Sequence, residues 1–189
     1  MFNVSIMGKL SKETRITELF FNEPSRSWHF KDIVQQAKIS ENRANYWLKI
    51  LEKEQIILYH KSEGKMPFYT AHFEHSNYKI KKKLYALEQF YKLGFLRHLD
   101  SLDANTIVIF GSFSRADWHT KSDIDLFIIG SDEKLEKGKY EHLLKRKMQL
   151  FTFKNKKEIQ KINPYLINNI TNGYFIKGNV QDIIGEINA

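Results

Sequence analysis

Two short stretches of this 189-residue chain carry residue types that could do chemistry together: Gly111-Ser112 and, after a spacer of ten residues, Asp123-Ile124-Asp125. A glycine directly after an apolar run lets the backbone turn and approach a ligand closely. A serine at the start of a following helix offers a hydroxyl and unpaired backbone N–H groups, both suited to an anionic phosphate. Asp123 and Asp125 stand at i and i+2 at the start of a second apolar run, so a strand would point both carboxylates to one face. Paired carboxylates hold hard divalent cations such as Mg²⁺ or Mn²⁺, and such a cation can be set against a triphosphate. For Asp123-x-Asp125 alone, a turn or capping pair is the plainer reading; the glycine and serine at this distance favour a site.

The elements that must position these residues can be read from periodicity. Thr106–Phe110, Asp125–Ile129 and Met148–Phe153 are expected strands, with a short helix opening at Ser112 and a charged helix over Asp132–Lys147. Asn163-Pro164 opens another helix to about Thr171, Gly173 stops it, and Tyr174–Lys177 makes a fourth strand.

Upstream the pattern changes. Lys12–Phe21, Trp28–Ala37 and a helix from the N-cap Ser40 to about Glu54 are expected, followed by extended runs at Ile56–His60 and Pro67–His72 around a turn-rich Lys61–Lys65. Ala44, Trp47, Leu48 and Leu51 form the apolar face of the third helix, leaving Asn42, Arg43, Asn45, Tyr46 and Lys49 outside it. Trp28, Trp47, Phe20 and Phe21 read as core. Between the two zones, Ser76–Leu99 is expected as one long helix, with Ile80, Leu84, Leu87 and Tyr91 as an apolar stripe opposite its lysines. That stripe would pack on the first domain or on a second copy of the chain, a homodimer.

Charge is uneven. Of the net +8, residues 1–75 hold +2, residues 76–99 hold +5 and residues 100–189 hold +1. Lys79, Lys81, Lys82 and Lys83 concentrate the excess, as a face for phosphate backbones or as an ordinary solvated helix face. The chain has no cysteine, which excludes disulfides and thiolate metal sites. No secretory signal or membrane span is read, so a cytoplasmic protein with no membrane partner is expected. His72 and His75 are spaced as a surface pair and do not complete a zinc set.

The run Ile107–Arg115 followed by Ser122-Asp123-Ile124-Asp125-Leu126 resembles the polymerase-beta nucleotidyltransferase superfamily, and in particular its minimal members. Their signature is Gly-Ser, ten residues, Asp-x-Asp, and Arg115, Ser122, Ile124 and Leu126 extend the match over about residues 100–178. The resemblance implies transfer of a nucleoside monophosphate from a nucleoside triphosphate to a hydroxyl, which could belong to a protein acceptor as in antitoxin-like members. Gly111 and Ser112 would bind the triphosphate, and Asp123 and Asp125 the metals. Arg115 would contact phosphate or pair with an acid of the fold. Trp118 and His119 would border a base or serve only the loop. Gln149 stands where the family carries a third carboxylate, and an amide cannot act as a carboxylate base. Glu141 and Glu158 lie off that strand, and Ala116 replaces a common glycine. Gln149 therefore supports an alternative: a DNA-binding transcriptional regulator that binds nucleotide without turnover.

The three helices and hairpin over about residues 9–74 resemble a winged helix-turn-helix. That resemblance implies double-stranded DNA as a partner, with Asn42, Arg43, Asn45, Tyr46 and Lys49 as groove contacts and Lys61 and Lys65 on the hairpin tip. A protein-interaction module is the other reading, because Glu41, Glu52 and Glu54 lie in or beside the third helix. The expected architecture is α+β in two domains: a winged helix (1–75), a basic linker helix (76–99) and a nucleotidyltransferase α/β fold with a small mixed sheet (100–189).

Overall fold

In the computed structural model, residues 12–155, 158–159 and 162–185 are described. The contacts group into two units: one of residues up to Leu84 together with Trp118–Thr120, the other of Tyr85–Asp117 and the chain from Lys121 onward. The described residues are α+β, with nine helices, a two-stranded hairpin and a four-stranded mixed sheet. None of their helices is long and apolar enough to cross a membrane.

In the first unit, α1 (Lys12–Asn22), α2 (Phe30–Ala37) and α3 (Glu41–Lys53) precede the hairpin β1 (Ile57–His60) and β2 (Phe68–Ala71). Each helix contributes to one core containing Ile16, Phe20, Phe21, Ile33, Leu48 and Leu51, with Trp28 buried beside them. Lys38 ends α2 in the left-handed region, and Ser40 occupies the N-cap of α3 without a side-chain capping bond. The hairpin pairs Ile57 with Ala71 and His60 with Phe68, and Trp28 exchanges backbone hydrogen bonds with Tyr69.

The long helix is broken. α4 runs Ser76–Lys92, Gly94 turns the chain at φ 73°, and α5 (Phe95–Asp100) follows. A glycine accepts that positive φ without a Cβ penalty, which is why the helix stops there. The expected stripe is not the buried face of α4. Ile80, Leu84 and Tyr91 are 56%, 62% and 67% exposed, whereas Tyr78, Lys82, Ala86 and Phe90 are buried. Both rows have helical spacing, and Tyr78 and Phe90 supply the large rings of the buried one. Nor is the lysine run an open basic face. Lys79 pairs with Glu74, Lys81 bridges Glu13 and Glu54, and Lys82 is internal.

The second unit's sheet has the order β5-β4-β3-β6, formed by β3 (Ala104–Phe110), β4 (Ile124–Gly130), β5 (Met148–Phe153) and β6 (Tyr174–Lys177). β3 is antiparallel to β4 and β6, and β4 is parallel to β5. β3 and β4 are buried along nearly their whole length, so they read as continuous apolar runs. Val108, Phe110, Phe127 and Ile129 pack with Ile159, Ile167, Ile170 and Ile183. The crossover helix α7 is shorter than expected, Lys137–Leu144. Asp132 instead accepts the Thr152 hydroxyl at 2.8 Å, and Lys145 closes the helix at φ 54°. α6 is the single turn Ser112–Arg115, α8 (Pro164–Thr171) starts from an Asn163 cap, and α9 (Gln181–Ile184) was not anticipated.

Candidate active site

The antiparallel β3–β4 pairing brings the two motifs together. Phe110, the last residue of β3, pairs with Asp125 near the start of β4, so Gly111 begins its turn beside that carboxylate. A Cβ at Gly111 would overlap Asp125 Oδ2 and approach Cγ to 3.1 Å. Gly111 also has φ 72° and ψ −139°, a combination essentially closed to other residues. Glycine is thus required twice, for its backbone and for the space it leaves to the acid.

The turn is held by its own hydrogen bonds. The Gly111 carbonyl accepts from Ser114 Oγ at 3.0 Å and from the Arg115 N–H at 3.2 Å. Ser112, half-buried, opens α6, and its carbonyl accepts the Asp117 N–H at 3.2 Å. Ala116 lies in the left-handed region at φ 65°, which explains why a glycine would suit that position.

Asp123 is exposed immediately before β4, and Asp125 is half-buried within it. Desolvation raises the Asp125 carboxyl above its ordinary value, the charge of Asp123 adds to the rise, and Arg115 opposes it. A carboxylate whose charge is disfavoured by burial and by a neighbouring acid suits a cation. Arg115 takes the second of its two expected roles, donating from Nε to Asp117 Oδ2 at 2.9 Å. It still lies near enough to Asp125 to favour its charged form.

Gln149 pairs with Asp125 across the parallel β4–β5 ladder and is exposed. Neither nearby glutamate replaces it. Glu141 accepts the Met148 N–H at 2.8 Å, and Glu158 accepts the Lys154 N–H at 3.1 Å. Among the described residues no three His, Asp or Glu side chains cluster as a metal set. Asp123 and Asp125 stand at the start of β4, with Gln149 beside Asp125 on β5.

Arg146 escaped the sequence reading. Its guanidinium donates to the Ser122 carbonyl at 3.1 Å and lies over the Phe113 ring, fixing the backbone just ahead of Asp123. Only its place in the basic run before β5 hinted at it. Trp118 groups with another part of the chain. It is buried, and with His119 and Thr120 it belongs to the first unit, where its ring meets Phe21.

Asn42, Arg43, Asn45, Tyr46 and Lys49 are all exposed on α3, and Lys61 and Lys65 are exposed in the β1–β2 loop. Tyr46 is 60% exposed with its ring edge-on to Trp47. His72 and His75 lie ring to ring at 4.8 Å.

A glycine-serine turn thus closes on paired carboxylates at one end of a mixed sheet. The family model described as nucleotidyltransferase domain matches residues 92–187, just over half of the chain, and the chain belongs to that family. Membership carries nucleotidyl transfer in general, with a nucleoside triphosphate as substrate and a divalent metal as the usual cofactor of such domains. No curated protein and no solved structure matches the chain significantly.

Proposed function

We propose that the chain is a metal-dependent nucleotidyltransferase that moves a nucleoside monophosphate from a triphosphate to a hydroxyl acceptor, coupled to a DNA-binding N-terminal domain. The observation that carries the first part is the Asp123–Asp125 pair against Gly111, where the glycine's missing side chain makes room for the acid. In the reaction the acceptor oxygen forms a bond to the α-phosphorus, the bond to pyrophosphate breaks, and the hydroxyl proton passes to a base or to water. Asp123 and Asp125 would hold Mg²⁺ or Mn²⁺, which supplies charge neutralisation at the phosphates when bound. Gly111 and Ser112 would receive the triphosphate with backbone N–H groups and the serine hydroxyl, and Arg115 would add a positive charge at the rim. A protein hydroxyl is one acceptor the resemblance to antitoxin-like members allows.

The first unit is read as a winged helix-turn-helix over 1–75, joined through 76–99 to the catalytic domain at 100–189, in a cytoplasmic protein that could pair with a second copy. Support comes from the three-helix and hairpin order and from the exposure of Asn42, Arg43, Asn45, Tyr46 and Lys49 on α3, with Lys61 and Lys65 on the hairpin loop. A second reading, a DNA-binding regulator that senses nucleotide without turnover, is favoured by Gln149 beside Asp125.

The test is pyrophosphate release from each labelled triphosphate with Mg²⁺ or Mn²⁺ and candidate acceptors. Release by the wild type that is lost in the Asp123→Ala/Asp125→Ala double variant supports transfer; release unchanged in that variant rejects it. Nucleotide affinity without release supports the sensor.

A further inference from the structure

We infer that the carboxylate pair holds a single divalent cation, and that the Lys147 ammonium gives the triphosphate the positive charge a second cation would bring. The inference rests on Asp123 and Asp125 being the metal-binding acids. All the residues concerned lie in the second unit. The parallel ladder pairs Ile124 with Met148 and Asp125 with Gln149, and the Ile124 N–H donates to the Lys147 carbonyl at 2.9 Å. One rung earlier, the same register sets Lys147 beside Asp123. Arg146 ties the two strand entries together there, its guanidinium donating to the Ser122 carbonyl at 3.1 Å. Exposure alternates along both strands. Asp123 and Lys147 are exposed, Ile124 and Met148 are buried, Asp125 is half-buried and Gln149 is exposed. Alternate residues of a strand share a face, so two carboxylates, an amide and an ammonium stand together on one face of the β4–β5 pair.

The charge balance of that face decides how many cations it can take. Two divalent ions that clamp one phosphoryl group sit about 4 Å apart, and acids they share must offset their repulsion. Among the described residues no third His, Asp or Glu joins Asp123 and Asp125. Gln149, on the rung of Asp125, is neutral and a weak metal ligand. Glu141 is occupied by the Met148 N–H at 2.8 Å and lies 3.9 Å from the Lys137 ammonium. Lys147 adds a positive charge at the rung of Asp123, which repels a second divalent ion and attracts phosphate. An ammonium on a flexible four-carbon stem serves phosphate as a point charge. Neighbouring strands run about 4.8 Å apart, so the stem is long enough to reach phosphates carried by a cation on the pair. Arg115, the other cation that acts on Asp125, already donates to Asp117 at 2.9 Å.

The experiment uses the full chain with one equivalent of a non-hydrolysable analogue of ATP, GTP, CTP or UTP, each in turn. Mn²⁺ is added stepwise and the free ion is followed by electron paramagnetic resonance. The wild type is expected to take up one Mn²⁺ per bound analogue. Lys147→Met/Gln149→Asp, which removes the ammonium and restores an acid, is expected to take up two. Calorimetry with the Mg²⁺ complexes should find Lys147→Met about tenfold weaker than wild type, the loss of one charge-assisted hydrogen bond. Lys147→Arg, which keeps the charge, should stay close to wild type. Two Mn²⁺ in the wild type overturn the inference, and that count needs no variant to fold. So does one Mn²⁺ in the double variant, or unchanged affinity in Lys147→Met; each of these leaves the nucleotide site standing. Wild-type protein without affinity for any of the four complexes rejects the metal–nucleotide reading itself, and this inference with it.

Discussion

Asp125 and Gln149 share one rung of the parallel β4–β5 ladder, so their side chains leave the sheet on the same face, a carboxylate beside an amide. Restoring an acid at that rung separates the two functional readings. Gln149→Asp is expected to raise pyrophosphate release by about 10²-fold if a missing base limits turnover. Equal rates in wild type and variant would show that proton removal does not depend on this position.

Gly111→Ala should be destructive although it adds one methyl group. The φ of 72° costs about 1–3 kcal/mol for a residue with a side chain, and the new Cβ overlaps the Asp125 carboxylate. The melting temperature is expected to fall by roughly 4–10 °C, with nucleotide affinity lost. A melt within a degree of wild type would contradict the crowding at this turn.

Asp125→Asn is expected to move stability and function in opposite directions. Burial and Asp123 both work against the ionised carboxylate, so the neutral amide should raise the melting temperature of the metal-free protein. The gain should shrink in high salt, where the part due to Asp123 is screened. Mg²⁺-dependent nucleotide affinity should vanish in the same variant. A lower melting temperature without metal would refute the argument.

His98 gives the second unit a predictable response to acid. Desolvation lowers its titration below the ordinary value, Glu136 opposes the shift and Lys139 assists it. Nε2 accepts the Glu136 N–H at 3.0 Å while Nδ1 lies 3.8 Å from the Glu136 carboxylate. A folded value below the unfolded one means that the unfolded chain binds the proton more readily. Stability from this group is therefore complete above the unfolded value and is lost as pH falls through it toward the folded one. Urea midpoints measured from about pH 8 to 5 should fall less in His98→Gln, whose amide oxygen can still accept from Glu136. Identical profiles would remove His98 as the cause.

If α3 contacts DNA, Arg43→Ala and Lys49→Ala should weaken binding to a fragment of the protein's own promoter at every salt concentration. Each should also reduce the slope of log affinity against log salt by about 1. Unaltered slopes for both would place any DNA contact elsewhere.

The local elements were largely legible because they follow from short-range rules. The glycine-serine turn, the strand through Asp125, the Asn163-Pro164 helix start and the exposed polar face of α3 depend on neighbours in sequence. The failures share a different cause. Ser76–Lys92 carries two rows at helical spacing that each hold large side chains, and no periodicity tells which meets an interior. Gly94 broke the helix where the apolar pattern ran on, and Trp118 groups with the first unit although its sequence neighbours before Asp117 do not.

The sequence by itself determined that Gly111-Ser112 and Asp123-x-Asp125 could converge, because a strand, a turn and the alternation of side chains require little else. Tertiary structure decided that Asp125 uses the space Gly111 leaves, that Gln149 stands on its rung, and that Arg115 pairs with Asp117. It also decided that Lys82, counted at first as part of a surface charge, is an internal donor to Trp118. Strand register and burial are set by packing between distant segments, and those energies have no signature within a short window of chain.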